Sequence, residues 1–257
     1  MYGDSNHPAI AACYSNIGTV YRGQGEYVKA LELHTKCLTI QQAVYGNNNH
    51  PAIATSYSDI GLIYRSRGEY ETALELYNKC LAIQLPVYGD SNHPDIATSY
   101  SNIGSVYRAQ GEYGKALELQ NKCLAIRLAV YGDSNHPDIA ISYCTIGLVY
   151  RAQGEYGKAL EFHKKCLAIQ LAVYGGSNHP DIATSYGSIG SVYRAQGEYG
   201  RALEFYNKCL VVELAMHGNK NHLAIATCYS NIGSVYREKG EYGRALEFYN
   251  KSLAILS

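Results

Sequence analysis

The residues best equipped for chemistry in this chain are its eight cysteines and nine histidines. A thiolate can act as a nucleophile, as half of a disulfide or as a metal ligand. His-x-x-Cys occurs at His34/Cys37 and at His163/Cys166, and on a helix that spacing supplies two zinc ligands. No CxxC occurs, so neither a zinc knuckle nor a redox dithiol is indicated. The cysteines instead keep a register. Cys37, Cys80, Cys123, Cys166 and Cys209 lie 43 residues apart, and Ser252 takes the next place. A position that accepts Cys or Ser wants a small, mildly apolar group. Cys13, Cys144 and Cys228 fall where sibling segments carry Ser. The two His-x-x-Cys pairs are three repeats apart and cannot meet within one chain. The expectation is eight free thiols in a reducing, cytoplasmic compartment, with no metal and no other cofactor.

The register belongs to the whole chain. Tyr2-Gly3-Asp4-Ser5-Asn6-His7-Pro8 returns at Tyr45, Tyr88, Tyr131 and Tyr174, then in degraded form from His217. This makes 1–257 a single array with repeats at about 2–44, 45–87, 88–130, 131–173, 174–216 and 217–257. His7, His50, His93, His136, His179 and His222 form a ladder whose rungs should be about 10 Å apart, the spacing of packed helices, too wide for a shared ion. Capping and packing at a helix start is their expected work. Catalysis needs residues that occur once, yet twelve of the 22 acids occupy two repeated places, those of Glu112 and Glu118. The others, such as Asp4, Asp59, Asp95 and Glu213, are scattered. No nucleophile-elbow, Walker or dinucleotide pattern is present, and Tyr174-Gly175-Gly176-Ser177 reads as a turn between repeats. An enzyme is not expected.

Composition narrows the partners. Apolar residues at 47% are too many for a disordered chain, and the apolar runs are too short to cross a bilayer. Lys+Arg 22 against Asp+Glu 22 leaves no net charge to draw the chain to nucleic acid or a membrane surface. Met1-Tyr2-Gly3-Asp4 has neither the charged nor the apolar region of a secretion signal.

The third copy, 88–130, shows what must position these residues. Pro94 after Asn92-His93 is a helix start. Ile96, Tyr100, Ile103, Gly104 and Tyr107 follow on one helical face, and Gly111 ends that helix. Glu112 opens a second, in which Tyr113, Ala116, Leu117, Cys123 and Leu124 recur at helical spacing to about Val130. Glu118 and Lys122 stand at i, i+4, a pair repeated in all six copies. Each repeat is a helical hairpin that cannot bury its apolar stripe alone, so stacked neighbours make the core. The 26 tyrosines all fall in five register places and read as packing residues, as does the Gly18-type glycine in each hairpin.

Tyr100-x2-Ile103-Gly104-x2-Tyr107, followed by Gly111, Tyr113 and Ala116, resembles the tetratricopeptide repeat. The match recurs in every copy, for example Tyr14-Ile17-Gly18-Tyr21-Ala30. Tyr replaces the usual Trp, and the final aromatic stands in half the copies (Tyr77, Tyr206, Tyr249). The unit is longer than usual and, with His-Pro-Asp-Ile-Ala opening its first helix, looks like the kinesin-light-chain type. The resemblance implies an all-α, right-handed superhelical solenoid of six two-helix repeats, whose first helices line a concave groove that grips peptides. It does not imply a motor subunit.

Copies three and four differ at eight of 43 positions. On the first helix these are Thr98/Ile141, Ser101/Cys144, Asn102/Thr145 and Ser105/Leu148. At 100° per residue they share one side, about 150° from the apolar face. Along its edge every copy has an Arg: Arg22, Arg65, Arg108, Arg151, Arg194 and Arg237. These guanidinium groups suit an acidic peptide segment or a C-terminal carboxylate, unless each pairs with the Glu112-type acid four residues on. Asn16, Asn102 and Asn231 occupy the place where related groove proteins use Asn to hold peptide backbone; Asp59, Thr145 and Ser188 replace it elsewhere. The expected function is a protein-interaction scaffold with a peptide groove, its alternative a purely architectural spacer or self-assembling rod. The last helix, Tyr242 to Leu256, keeps its apolar places, as do Ile10, Tyr14 and Ile17 in the first, which predicts end-to-end self-association.

Overall fold

The computed structural model describes residues 7–46, 49–89, 92–132, 135–176, 178–218 and 222–256. Tyr2, Asp4 and Ser177, singled out above, lie outside these. The described residues form twelve helices and no strand, in two compact units, 1–132 and 133–257. The first unit holds α1 (Pro8–Gly23), α2 (Tyr27–Tyr45), α3 (Pro51–Ser66), α4 (Tyr70–Tyr88), α5 (Pro94–Ala109) and α6 (Tyr113–Tyr131). The second holds α7 (Pro137–Ala152), α8 (Tyr156–Tyr174), α9 (Pro180–Ala195), α10 (Tyr199–His217), α11 (Leu223–Glu238) and α12 (Tyr242–Leu256). Each unit is three hairpins: the two helices of a repeat pack together, and within the unit the second packs on the first helix of the next. No helix among the described residues is long and apolar enough to cross a membrane.

The histidine ladder caps the first helices. His93 Nδ1 accepts from the Asp95 N–H at 3.2 Å, and His7, His50, His136, His179 and His222 do the same for their own helices. That satisfies one of the orphan donors of a helix start. The rings of His50, His93, His179 and His222 stack on the aromatic that ends the preceding helix, as in Tyr45/His50 and Tyr88/His93 at 3.6 and 3.5 Å. In the turn Gly111 takes φ 80°, a conformation only glycine adopts cheaply, and Glu112 N–H donates back to Tyr107 O at 2.9 Å. Inside the hairpin a Cβ on Gly104 would meet Ala116 O at 3.2 Å, so this glycine sets the helix approach.

The buried face of α5 is Ile96, Ala97, Ser99, Ile103, Gly104 and Val106. Tyr100 and Tyr107 are half-buried at its margin, their rings covered by Lys122 and Lys115. The centre of the face is thus one position nearer Ser99 and Val106 than the tyrosine spacing suggests, because a phenol keeps its hydroxyl wet at the edge of a core.

Ser99 explains the cysteine register. Its Oγ donates to Gln84 Oε1 at 2.7 Å and lies 3.4 Å from Cys80 Sγ. Ser56 with Gln41 and Cys37, and Ser185 with Gln170 and Cys166, repeat this arrangement. Cysteine on a second helix therefore faces serine on the next first helix, in a buried seam whose polar groups satisfy one another. All eight cysteines are free thiols. At Cys209/Cys228 both places hold sulfur, 3.2 Å apart.

Candidate functional site

The side of the first helices away from their buried face carries the Asn16-type, Thr19-type and Arg22-type places, three residues apart and therefore on one stripe. What these places hold differs between the units.

In the first unit it is a cavity beside the stripe that is acidic. Ser15 Oγ donates to Asp59 Oδ2 at 3.4 Å, and Asn102 Nδ2 donates to Ser58 Oγ at 3.4 Å, so the Asn-type place bonds back to the preceding repeat. A cavity of about 310 Å³ is lined by Thr55, Asp59, Asp95, Thr98 and Asn102. Burial pushes the Asp59 carboxyl up, opposed by His34 and by Arg22. His34 Nδ1 stands 3.7 Å from Asp59 Oδ2; burial pushes that imidazole down, with Asp59 opposing.

In the second unit the stripe is cationic. Arg151 Nη1 donates to Ser191 Oγ at 3.0 Å, and Ser191 Oγ donates to Ser188 O at 2.7 Å. Arg194 Nε stands 3.5 Å from Glu238 Oε1, and burial pushes the Tyr206 hydroxyl up, with the Arg194 charge opposing. A cavity of about 570 Å³ is lined by Arg151, Ser191, Arg194, Tyr206, Asn231 and Glu238. A guanidinium has five N–H donors, so these bonds leave donors on both arginines for a ligand.

The pairing of each stripe Arg with the acid four residues on does not form. Arg108 closes α5 and Glu112 precedes α6, with Gly111 at positive φ between them, so the helical i, i+4 geometry is broken. The acids pair instead within the second helix, as in Glu112 with Lys115 and Glu198 with Arg201. Among the described residues no ion pair is recorded for Arg22, Arg65, Arg108 or Arg237.

The remaining predicted residues are dispersed. Asn16 lines a separate cavity of about 300 Å³ with Pro8, Ala12 and Gln41. Thr98 Oγ1 donates to Pro94 O at 3.0 Å while facing the first unit's cavity. Ser101 turns to the second helix of its own hairpin, donating to Gln120 Oε1 at 3.2 Å and accepting at its carbonyl from Gln120 Nε2. Cys144 takes that place next to Cys166. Thr145 Oγ1 donates to Ser142 O at 2.9 Å, and Ser105 and Leu148 are half-buried outside the cavities. The sequence names neither Ser191 nor Glu238 as a candidate, and gives Tyr206 only as a packing aromatic. Glu238 carried a signal: its place holds Gly23, Ser66, Ala109, Ala152 and Ala195 in the other copies.

The model of the tetratricopeptide repeat family matches residues 9–85, 95–172, 138–210 and 213–257. No curated protein matches the chain. Among solved structures, the chain is similar to a putative kinesin light chain of Podosopora anserina with nearly identical TPR-like repeats. The two are 26% identical, covering 83% of this chain and 99% of that one, with TM-score 0.64. BtubC of P. vanneervenii is 17% identical over 90% and 88% of the two chains, with TM-score 0.67. A Rap protein complexed with Competence and Sporulation Factor is 16% identical over 94% and 73%, also with TM-score 0.67. The last two likenesses concern the fold.

Proposed function

The chain belongs to the tetratricopeptide repeat family and is a protein–protein interaction scaffold; on that premise we propose that its second unit binds an acidic peptide segment or C-terminal carboxylate at Arg151 and Arg194. The convergence of these two arginines with Ser191, Tyr206 and Asn231 on one cavity carries the reading. Guanidinium groups bind carboxylates in bidentate fashion, and partial enclosure strengthens such bonds. Asn231 adds an amide that can bond extended backbone. Fluorescence anisotropy with a labelled Asp/Glu-rich peptide, and with its Asn/Gln counterpart, tests it. The acidic peptide should bind, the neutral one should not, and affinity should fall as salt shortens the Debye length below about 8 Å. Equal or salt-independent binding of both refutes the charge selectivity. A spacer would bind neither.

The exposed apolar residues of the outer helices support a second partner, another copy of the chain. Leu246 and Leu253 on α12 and Ile17 and Val20 on α1 are all exposed. These two different surfaces suit a head-to-tail contact. Light scattering over a wide concentration range should show mass rising with concentration, and an L246E/L253E variant should stay monomeric. A constant monomer mass for the parent chain contradicts it.

A further inference from the structure

At one junction of the second unit the seam between repeats changes its chemistry. Glu213 stands where Gln41, Gln84 and Gln170 stand in three sibling copies, with Arg127 and Leu256 in the other two. His217 stands where the others have Tyr45, Tyr88, Tyr131 and Tyr174. Two places have thus acquired a metal-ligating side chain at the same junction, beside His222, which every copy possesses in kind. We propose that this junction between α10 and α11 binds a divalent transition cation, Zn²⁺ in the first instance, through the Glu213 carboxylate and one ring nitrogen each of His217 and His222.

Glu213 and His217 lie four residues apart on one face of α10, and His222 caps α11. Their ligand atoms all lie within 4.8 Å of one another. Around a Zn²⁺ with bonds of about 2.0–2.2 Å such atoms sit within about 4 Å of each other, so the ligand atoms must close by about an ångström and the stacked rings of His217 and His222 must tilt apart for their lone pairs to converge. Glu213 is buried, and its Oε2 has no hydrogen-bond partner, standing 3.5 Å from His217 Nε2. A buried carboxylate oxygen without a partner is unfavourable, and a bound cation supplies one. Two imidazoles and a carboxylate are a ligand set that zinc and other first-row divalent ions accept, with a remaining position for water. A cavity of about 430 Å³, lined by Glu213, His222, Thr227, Cys209 and Cys228 among others, gives that water room and the ion a route in.

His222 must give something up. Its Nδ1 accepts from Ala224 N–H at 3.3 Å, the longest of the six such caps. Coordination through either ring nitrogen ends that bond, because the metal takes the lone pair of Nδ1 or the proton moves there. One N-cap bond is small beside coordination of a transition metal. His217 stacks on His222 at 3.5 Å, as Tyr174 stacks on His179. Stacking accounts for an aromatic ring at 217 and leaves the carboxylate at 213 unexplained. The Cys209/Cys228 thiols are no part of this ligand set; the hydrogen bond between them pushes Cys228 up and Cys209 down.

The test uses the full chain, freed of metal by chelation and dialysis. Calorimetric titration with ZnCl₂ at neutral pH should show one saturable equivalent, and Tm should rise by several degrees. The E213Q/H217Y variant places at each position the residue most siblings carry, so its fold is expected to persist and is checked by circular dichroism. It should lose more than about a hundredfold in Zn²⁺ affinity, whereas C228S should bind as the parent does. No saturable binding by the parent overturns the proposal. Unchanged binding by E213Q/H217Y overturns it too, placing the ion on other histidines. A variant that alters only the pH dependence of stability, with no effect of zinc on either protein, also overturns it and leaves Glu213 and His217 an ordinary ion pair.

Discussion

The two units use the same hairpin to line cavities of different charge. In the first, Asp59 and Asp95 line the cavity beside the first helices; in the second, Arg151 and Arg194 do. Every copy possesses the stripe arginine, so the difference lies in what surrounds it. Asp59 attracts Arg22 in the first unit, whereas the same place holds Thr145, Ser188 and Asn231 in the second. One position per repeat, outside the core, is enough to change which ligands a surface suits. The core places, Ile96 and Ile182 or Tyr77 and Tyr206, are buried alike in both units.

The largest expected effect breaks or keeps this contrast directly. R151A/R194A should weaken the acidic peptide by about 3 kcal/mol, since charge-assisted hydrogen bonds each contribute about 1.5–3 kcal/mol and part of that is lost to solvent. That is more than a hundredfold in Kd. R22A/R65A, in the first unit, should cost less than about threefold. Anisotropy on the two double variants decides it, and equal losses would mean that the charge around the arginines does not matter.

The second effect concerns two buried histidines at one register place. His34 has Asp59 beside it to favour its protonated form; His163 has no acid among the causes of its shift, and burial with Arg151 pushes it down to about 4. Its two ring nitrogens are buried without hydrogen-bond partners. The unfolded chain takes up the His163 proton near pH 6.5, the folded chain only near 4. Below pH 6.5 the unfolded state therefore binds more protons, and stability falls as pH falls through that window. Between pH 7 and 5 this amounts to about 2 kcal/mol. Urea unfolding of the parent and of H163Q, which borrows the Gln120 of the neighbouring copy, measures it. The variant should lose that part of the slope, and an unchanged slope would assign the pH dependence to other groups.

The hairpins and the capping histidines were legible because Gly-Glu punctuates every copy, and His-Pro all but the last, at fixed spacing. Two things were not. The Arg108–Glu112 pairing looked local in sequence, but the φ 80° turn at Gly111 removes the helix it needs. The cysteine places looked like small core positions; their partners, such as Ser99 for Cys80, are 19 residues away in the next repeat and emerge only once the stacking register is known. The cationic cavity was half legible: Arg151, Arg194 and Asn231 are visible as a stripe, while Tyr206 reaches it from a second helix. The Glu213/His217 change was likewise open to internal comparison of copies, but a search for cysteine-containing ligand spacings passes over it.

The smallest effect serves as the control for the whole contrast. Glu118–Lys122 in the first unit and Glu204–Lys208 in the second are the same exposed i, i+4 pair, at 2.8 and 2.6 Å. Their contact holds Glu118 down and Lys122 up from their ordinary values, and solvent screens most of its energy. Such pairs contribute about 0.3–0.5 kcal/mol on a helix. Each lysine also covers an aromatic ring, Tyr100 in one case and Phe205 in the other. K122Q and K208Q should therefore each lower stability only slightly, equally, and leave peptide affinity unchanged. Equality is expected because both pairs lie on second helices, away from the surface where the units differ. If K208Q weakened the acidic peptide while K122Q did not, the positive field of the second unit would extend beyond Arg151 and Arg194. The binding surface would then have to be redrawn to include the outer face of α10.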